Sequence, residues 1–273
     1  MNTHKPAGKF LAAAVLCSLF TASPVWAALL TTTSTVNESN TPDTPYSKIT
    51  VVGTGLAYGI HSTDGDLTVY VTGDNVLAIT ANNIAGIAVA EGVRSENYPN
   101  NTYVKGTLSG DVEATGGIDD NSAISGVSTA IAKTYASAYG VYSDTDNFGS
   151  EVYCEKIGNL TVTAKGGTSI GGTVTSNSSA SANTEAWAAA KGLCDVVQTN
   201  DIGKLTITAT GGTATAGNAT CTDANGSAIA YASAGADVYG IAACSDEAKT
   251  YGNVQELTIT ATGGTATAGN ATC

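Results

Sequence analysis

Seventeen residues occur twice in this chain: 205–221 and 257–273 both read LTITATGGTATAGNATC, 52 positions apart. A repeat at fixed spacing marks an array in which each copy is one supersecondary unit stacked on its neighbour. The feature therefore points to a structural or display protein before any side-chain chemistry is considered. It also suggests an array interrupted in mid-repeat.

Looser copies extend the pattern. DVEATGG at 111–117 and LTVTAKGG at 160–167 match LTITATGG at 205–212 and 257–264, with Gly-Gly spacings of 50, 45 and 52. LTVYVTG at 67–73 reads as a weaker early copy. Leu, Ile or Val alternates with Thr, the period-two pattern of a half-buried strand with its threonines outward. Gly-Gly is expected to supply backbone freedom for a corner. A second landmark is a run of small residues ending in Gly beside an aliphatic residue: AYGI at 57–60, AGI at 85–87, AYGV at 138–141, KGL at 191–193 and VYGI at 238–241. Alanine alternates with other residues ahead of several of these, as in SAIAYASA at 227–234, which predicts a second strand. From that Gly to the next Leu-Thr strand the distance varies between 20, 13 and 17 residues, which places loops on one side of the stack.

The expected fold class is all-β, a parallel β-helix or solenoid of imperfect repeats of about 45–52 residues spanning 48–273, with roughly two turns per repeat. A propeller is the competing architecture, disfavoured because no aromatic blade signature and no four clear strands per repeat are present. Ala, Thr, Gly and Ser dominate and aromatics are 6% of residues. That composition suits a thin solenoid held by its backbone ladder better than a conventional core.

Residues 1–27 read as a secretory signal peptide. Lys5 and Lys9 form a positive start, 10–22 is an apolar stretch too short to span a bilayer, and Val25-Trp26-Ala27 predicts cleavage after Ala27. Lipoprotein processing at Cys17 is the weaker reading, since Ala14-Val15-Leu16 is a poor lipobox. Residues 28–47, rich in Thr, Ser, Asn and Pro, read as a disordered linker. The chain has 11 Lys+Arg and 23 Asp+Glu. Removing Lys5 and Lys9 with the leader leaves 9 − 23 = −14. That acidity excludes nucleic acid and an anionic membrane surface as partners. No apolar segment after the leader is long enough to insert in a membrane as a helix.

The signal, the imperfect Gly/Thr/Ala/Asn-rich repeats and the LTITATGG-type strands together resemble the passenger region of Gram-negative autotransporters and related β-helical adhesins. The resemblance covers 48–273 and implies a right-handed β-helix displayed at the cell surface or released from the outer membrane. The chain departs from the family in lacking a translocator barrel. An unidentified surface ligand (host matrix, cell surface or glycan) is the implied partner, engaged through variable loops at 143–156 and 245–256.

Candidate chemistry is sparse. After the leader five cysteines remain, Cys154, Cys194, Cys221, Cys244 and Cys273, with no C-x-x-C spacing. Export favours disulfides. Cys194 and Cys244 are placed near one another on adjacent repeats, and Cys221 and Cys273 occupy the same position in two copies, but the pairing stays open. His61 can be drawn into a triad with Asp64 or Asp66, without a nucleophile elbow. Arg94 is the sole arginine. Asp144, Asp146, Gly149 and Glu155 fit part of a calcium loop, except that Phe148 stands where an oxygen ligand belongs. The expectation is a non-enzyme with no catalytic residue, cofactor or metal. The alternative function is an ice- or polysaccharide-surface binder using threonine ladders (Thr206, Thr208 and Thr210 over Thr258, Thr260 and Thr262). A polysaccharide-degrading β-helix enzyme is the weaker third reading.

Overall fold

The computed structural model describes residues 28–84, 86–96, 100–123, 127–143, 151–194, 197–242 and 251–273. Residues 1–27, read from the sequence as a signal peptide, lie outside them. Among the described residues all regular structure is strand. In chain order these are β1 (Leu30–Thr32), β2 (Tyr46–Thr54), β3 (Leu56–Ser62), β4 (Leu67–Tyr70), β5 (Leu77–Asn82), β6 (Ile87–Ser95) and β7 (Asn101–Thr115). There follow β8 (Ile118–Asp120), β9 (Thr129–Ser143), β10 (Glu151–Lys165), β11 (Thr168–Ile170), β12 (Val174–Ser176) and β13 (Ser179–Cys194). The last are β14 (Val197–Thr210), β15 (Thr213–Thr215), β16 (Ala219–Cys221), β17 (Ser227–Ala242), β18 (Tyr251–Thr262), β19 (Thr265–Thr267) and β20 (Ala271–Thr272).

Every ladder is parallel, and successive turns of the chain stack as rungs. Sheet A runs β1-β2-β5-β7-β10-β14-β18, with β4 beside β7. Sheet B runs β3-β6-β9-β13-β17. Two short sheets add to the later rungs: β8-β11-β15-β19 from the rung of β7 onward and β12-β16-β20 from the rung of β10 onward. The fold is the parallel β-solenoid expected from the repeats.

One repeat makes one turn, not two. Leu160 pairs with Leu205, and Leu205 with Leu257, so each copy lies directly on the previous one. The early rungs are shorter: Ile49 pairs with Leu77 at an offset of 28, and Leu77 with Gly110 at an offset of 33. The early copies of the Leu-Thr strand are therefore β2 and β5. LTVY at 67–70 forms β4 and pairs with 102–105, the first half of β7. Residues 28–47, expected as a linker, carry β1 against β2, and Val36 bridges Ile60 from a buried position.

The alternation of the strands divides the core unequally between the two long sheets. Sheet A points Leu, Ile and Val inward, such as Leu160, Val162, Leu205 and Ile207. Sheet B answers mostly with alanines, Ala136, Ala138, Ala186, Ala188 and Ala190. Large side chains thus seat against small ones, which keeps the solenoid thin and explains the alanine content. Each buried Leu or Ile contributes about 1.5–3 kcal/mol.

The glycines of both landmarks follow from that closeness. Gly59, Gly92, Gly140, Gly192 and Gly240 form one column in sheet B. A Cβ on any of the first four would lie 2.4–2.5 Å from the carbonyl oxygen of the glycine on the next rung. On Gly192 it would also meet Ile207 Cδ1 at 2.8 Å. The column member in the second rung is Gly92. Gly86, in the AGI motif, instead takes a φ of 99° just before β6. At the Gly-Gly corners the requirement is space rather than an unusual φ. A Cβ on Gly167 or Gly212 would sit 2.0 Å from the carbonyl oxygen of the preceding rung's corner.

Cys221 and Cys273, the same position in two copies, are joined by a disulfide that ties the last two rungs together. Cys154 is buried, and burial pushes its thiol up to about 12, so it stays a thiol at neutral pH. Cys194 is buried on β13, in register with Tyr142 and Ala242. Its expected neighbour Cys244 lies outside the described residues.

Candidate binding face

The outward residues of the two long sheets have different chemistry. Sheet A presents the threonine columns as expected: Thr161, Thr206 and Thr258 are in register, as are Thr163, Thr208 and Thr260. Toward the N-terminus the columns meet Asp111 and Glu113. Lys165 interrupts the third column and reaches Glu113 Oε1 at 2.5 Å. The hydroxyl array is therefore three rungs deep and bordered by charge.

Among the described residues the strands of sheet B carry seven aromatic residues, Tyr58, Tyr135, Tyr139, Tyr142, Trp187, Tyr231 and Tyr239, against five on the strands of sheet A. Its rungs place Tyr135 beside Trp187, with Gly235 next in the row. Ile131, Asn183 and Tyr231 share a second row, and Lys133, Glu185 and Ser233 a third. Tyr58, Glu91, Tyr139, Lys191 and Tyr239 share a fourth. Tyr231 is 48% exposed, Tyr239 47%, and Ile131 and Ile229 similarly so. The strand alternation that sends alanine inward sends these residues outward.

Two polar assemblies order the face. In the first, Lys133 Nζ lies 2.8 Å from Glu185 Oε1, and the Tyr135 hydroxyl donates to Glu185 Oε2. Those hydrogen bonds, from Lys133 and then Tyr135, hold the Glu185 carboxyl below its usual range. Burial, followed by the Glu185 carboxylate, pushes the Tyr135 phenol up to about 12. Tyr135 is thus a fixed donor and Glu185 a fixed anion at neutral pH. Beside them Tyr135, Glu185, Trp187, Tyr231, Ser233 and Asp237 surround an open cleft of about 380 Å³ floored by alanines.

The second assembly lies on β3, β6 and β9. Arg94 Nη1 donates to both oxygens of buried Glu91, at 2.9 and 3.1 Å, and Nη2 lies 2.5 Å from Glu96 Oε1. Its guanidinium also covers the rings of Tyr58 and Tyr142, with centroids at 5.7 and 5.4 Å. Lys191 repeats the arrangement between Tyr139 and Tyr239 at 5.2 and 5.4 Å. His61 lies in strand β3, not a loop, with Nε2 3.2 Å from Glu96 Oε2. Burial lowers its pKa against the opposing pull of Glu96, so it is neutral at pH 7. The triad drawn with Asp64 or Asp66 is not assembled: Glu96 takes the imidazole, and Asp66 accepts the backbone N–H of Asn101 at 2.8 Å.

The loops expected to bind a ligand are shorter than 143–156 and 245–256. Residues 151–156 belong to β10 and 251–256 to β18, while 144–150 and 243–250 lie outside the described residues. Asp144, Asp146 and Gly149 of the calcium-loop pattern fall there too. Glu155 is described, and its Oε2 accepts the backbone N–H of Gly106 at 2.8 Å. Among the described residues no group of three or more His, Cys, Asp and Glu side chains could hold a metal ion.

Sequence reasoning missed Trp187, Tyr135, Tyr231, Glu185 and Asp237. The signal was present. Aligning the repeats on Gly140, Gly192 and Gly240 puts Tyr135 over Trp187 and Lys133 over Glu185. Compared with protein-family models, with curated proteins and with solved structures, the chain has no match in any of the three.

Proposed function

We propose that this chain is an exported β-solenoid, displayed on or released from a bacterial surface, whose role is adhesin-like binding rather than catalysis. The observation that carries the reading is the contrast between its two long faces. Sheet A is mostly threonine and charge outward, with a stacked pair of rings, Tyr103 on Tyr153 at 5.0 Å. Sheet B gathers Tyr135, Tyr139 and Trp187 on β9 and β13, which are paired on both sides, and Tyr231 and Tyr239 on β17, which is paired with β13. Exposed aromatic and aliphatic side chains concentrated on one face mark interaction surfaces, and aromatic residues are the usual anchors of such contacts. The leader-like N-terminus and the inter-rung disulfide are consistent with an oxidising, exported setting.

The test is adhesion of the purified full chain to a panel of extracellular matrices and cell surfaces. The expected result is binding that Trp187→Ala and Tyr231→Ala weaken while Thr208→Tyr leaves it intact. A chain that adheres to no surface defeats the reading.

The threonine face supports a second reading, binding to an ordered surface such as ice, because its hydroxyl columns are in register over three rungs. Thermal hysteresis abolished by Thr208→Tyr is its signature.

A further inference from the structure

The cleft around Trp187 has features that specify the chemistry of its occupant, and the inference rests on the binding reading given above. The adjacent strands β9, β13 and β17 exchange backbone hydrogen bonds with one another along their whole outward surface. Across the cleft itself β13 is paired on both sides and β17 uses its cleft-side ladder on β13, so an occupant lying over the rings is recognised through side chains; the outer ladder of β17, the described edge of the sheet, lies beyond the cleft. The carboxylates of Glu185 and Asp237 line the cleft, and of the lysines beside it Lys133 is engaged by Glu185 and Lys191 by the rings of Tyr139 and Tyr239. Phosphorylated, sulfated and uronic-acid polymers meet like charge there, in a chain of formal net charge −12.

What the cleft offers is flat, amphipathic and hydrogen-bonding. Trp187 and Tyr231 supply ring surfaces. The Tyr135–Glu185 pair, Ser233 and Asp237 supply polar groups at the edges of those rings. Its floor, Ala136, Ala188 and Ala189, projects nothing bulky. A pyranose has the matching form, with C–H groups on its faces and hydroxyls around its rim. Carboxylates accept from such hydroxyls through charge-assisted bonds. The cleft volume of about 380 Å³ lies in the range of small-ligand sites and is open to a longer chain.

We propose that this cleft is a glycan-binding site for a chain of uncharged hexopyranose units, stacked on Trp187 and Tyr231 and hydrogen-bonded to Asp237 and Ser233. Trp187 itself provides the readout, since Trp26 in the leader-like segment is the only other tryptophan. The full chain carrying Trp26→Phe is titrated with cellohexaose, xylohexaose, mannohexaose, chitohexaose and maltohexaose, with oligogalacturonate as the anionic control. The expected result is a saturable change in Trp187 fluorescence with at least one uncharged hexamer and none with the anionic one. Tyr231→Ala, at an exposed position that leaves the core untouched, weakens that binding by about tenfold.

No saturable change with any uncharged hexamer overturns the proposal, as does binding that Tyr231→Ala leaves unaltered. Adhesion to cells that needs Trp187, without saccharide binding, means a protein occupant: the proposal falls and the adhesin reading stands. Saccharide binding without adhesion leaves the proposal standing and sinks that reading.

Discussion

The six-membered ring of Trp187 occupies the space that a side chain on Gly235 would take: a Cβ there would lie 2.4, 2.7 and 2.8 Å from three of its carbons. The two residues face one another across the β13–β17 ladder. The glycine is therefore the seat of the indole. Gly235→Ala is expected to lift the ring from the strand, shift the Trp187 emission maximum to the red and weaken any ligand stacked there. The fold is expected to survive, since the residue lies on the outer face. An unchanged emission maximum in the alanine variant would show that the indole does not depend on this seat.

That pairing also shows what was legible in the sequence and what was not. The period-two alternation of LTITAT states which residues face inward, and Leu205, Ile207 and Ala209 are buried accordingly. The shared spacing of the Gly-Gly corners gives the rung order. The early rungs were misread because their length changes: the partners of Gly110 and Leu77 lie 33 and 28 residues back, not 50. The binding face was hidden for a different reason. Tyr135 and Trp187 are 52 residues apart, and their adjacency depends on register. Register is set by the glycine column, whose second-rung member is Gly92 and not the more conspicuous Gly86.

Steric crowding at the corners makes a paired prediction. A Cβ at position 212 would approach the Gly167 carbonyl oxygen to 2.0 Å, whereas at position 263 it would meet nothing within 4 Å. Neither glycine needs a positive φ. Gly212→Ala is expected to destabilise the solenoid by about 1–3 kcal/mol through overpacking. Gly263→Ala is expected to be neutral or slightly stabilising through the unfolded chain. Chemical denaturation of both variants checks this, and equal effects would contradict the close-approach explanation.

The Cys221–Cys273 bond closes a 52-residue loop between adjacent rungs. In the chain-entropy description such a closure contributes about 4 kcal/mol. Its effect is expected to be local, because β18, β19 and β20 have a rung on only one described side. Cys221→Ser should raise amide exchange in 251–273 by orders of magnitude while leaving β10 and β14 protected. Uniform loss of protection along the whole solenoid would show that the rungs unfold as one unit instead.

The Glu185 cluster gives a pH dependence with a definite sign. Hydrogen bonds from Lys133 and Tyr135 lower its folded-state pKa below that of the unfolded chain, so the unfolded state binds the proton more readily. The group therefore contributes stability that is fully present above the ordinary carboxylate pKa of about 4 and is lost as pH falls through the lower folded-state value. Glu185→Gln removes that dependence. Between pH 7 and pH 2 the melting temperature of the native chain should fall further than that of the variant. The gap between them should narrow toward acid, because the protonated carboxyl and the amide both leave Lys133 without an anion. At low pH Lys133→Met should then cost little beyond its effect in the Gln variant, since the anion it pairs with is gone. A difference between the native and Gln chains that stays constant from pH 7 to pH 2 would mean that Lys133 and Tyr135 do not hold Glu185 ionised in the folded state.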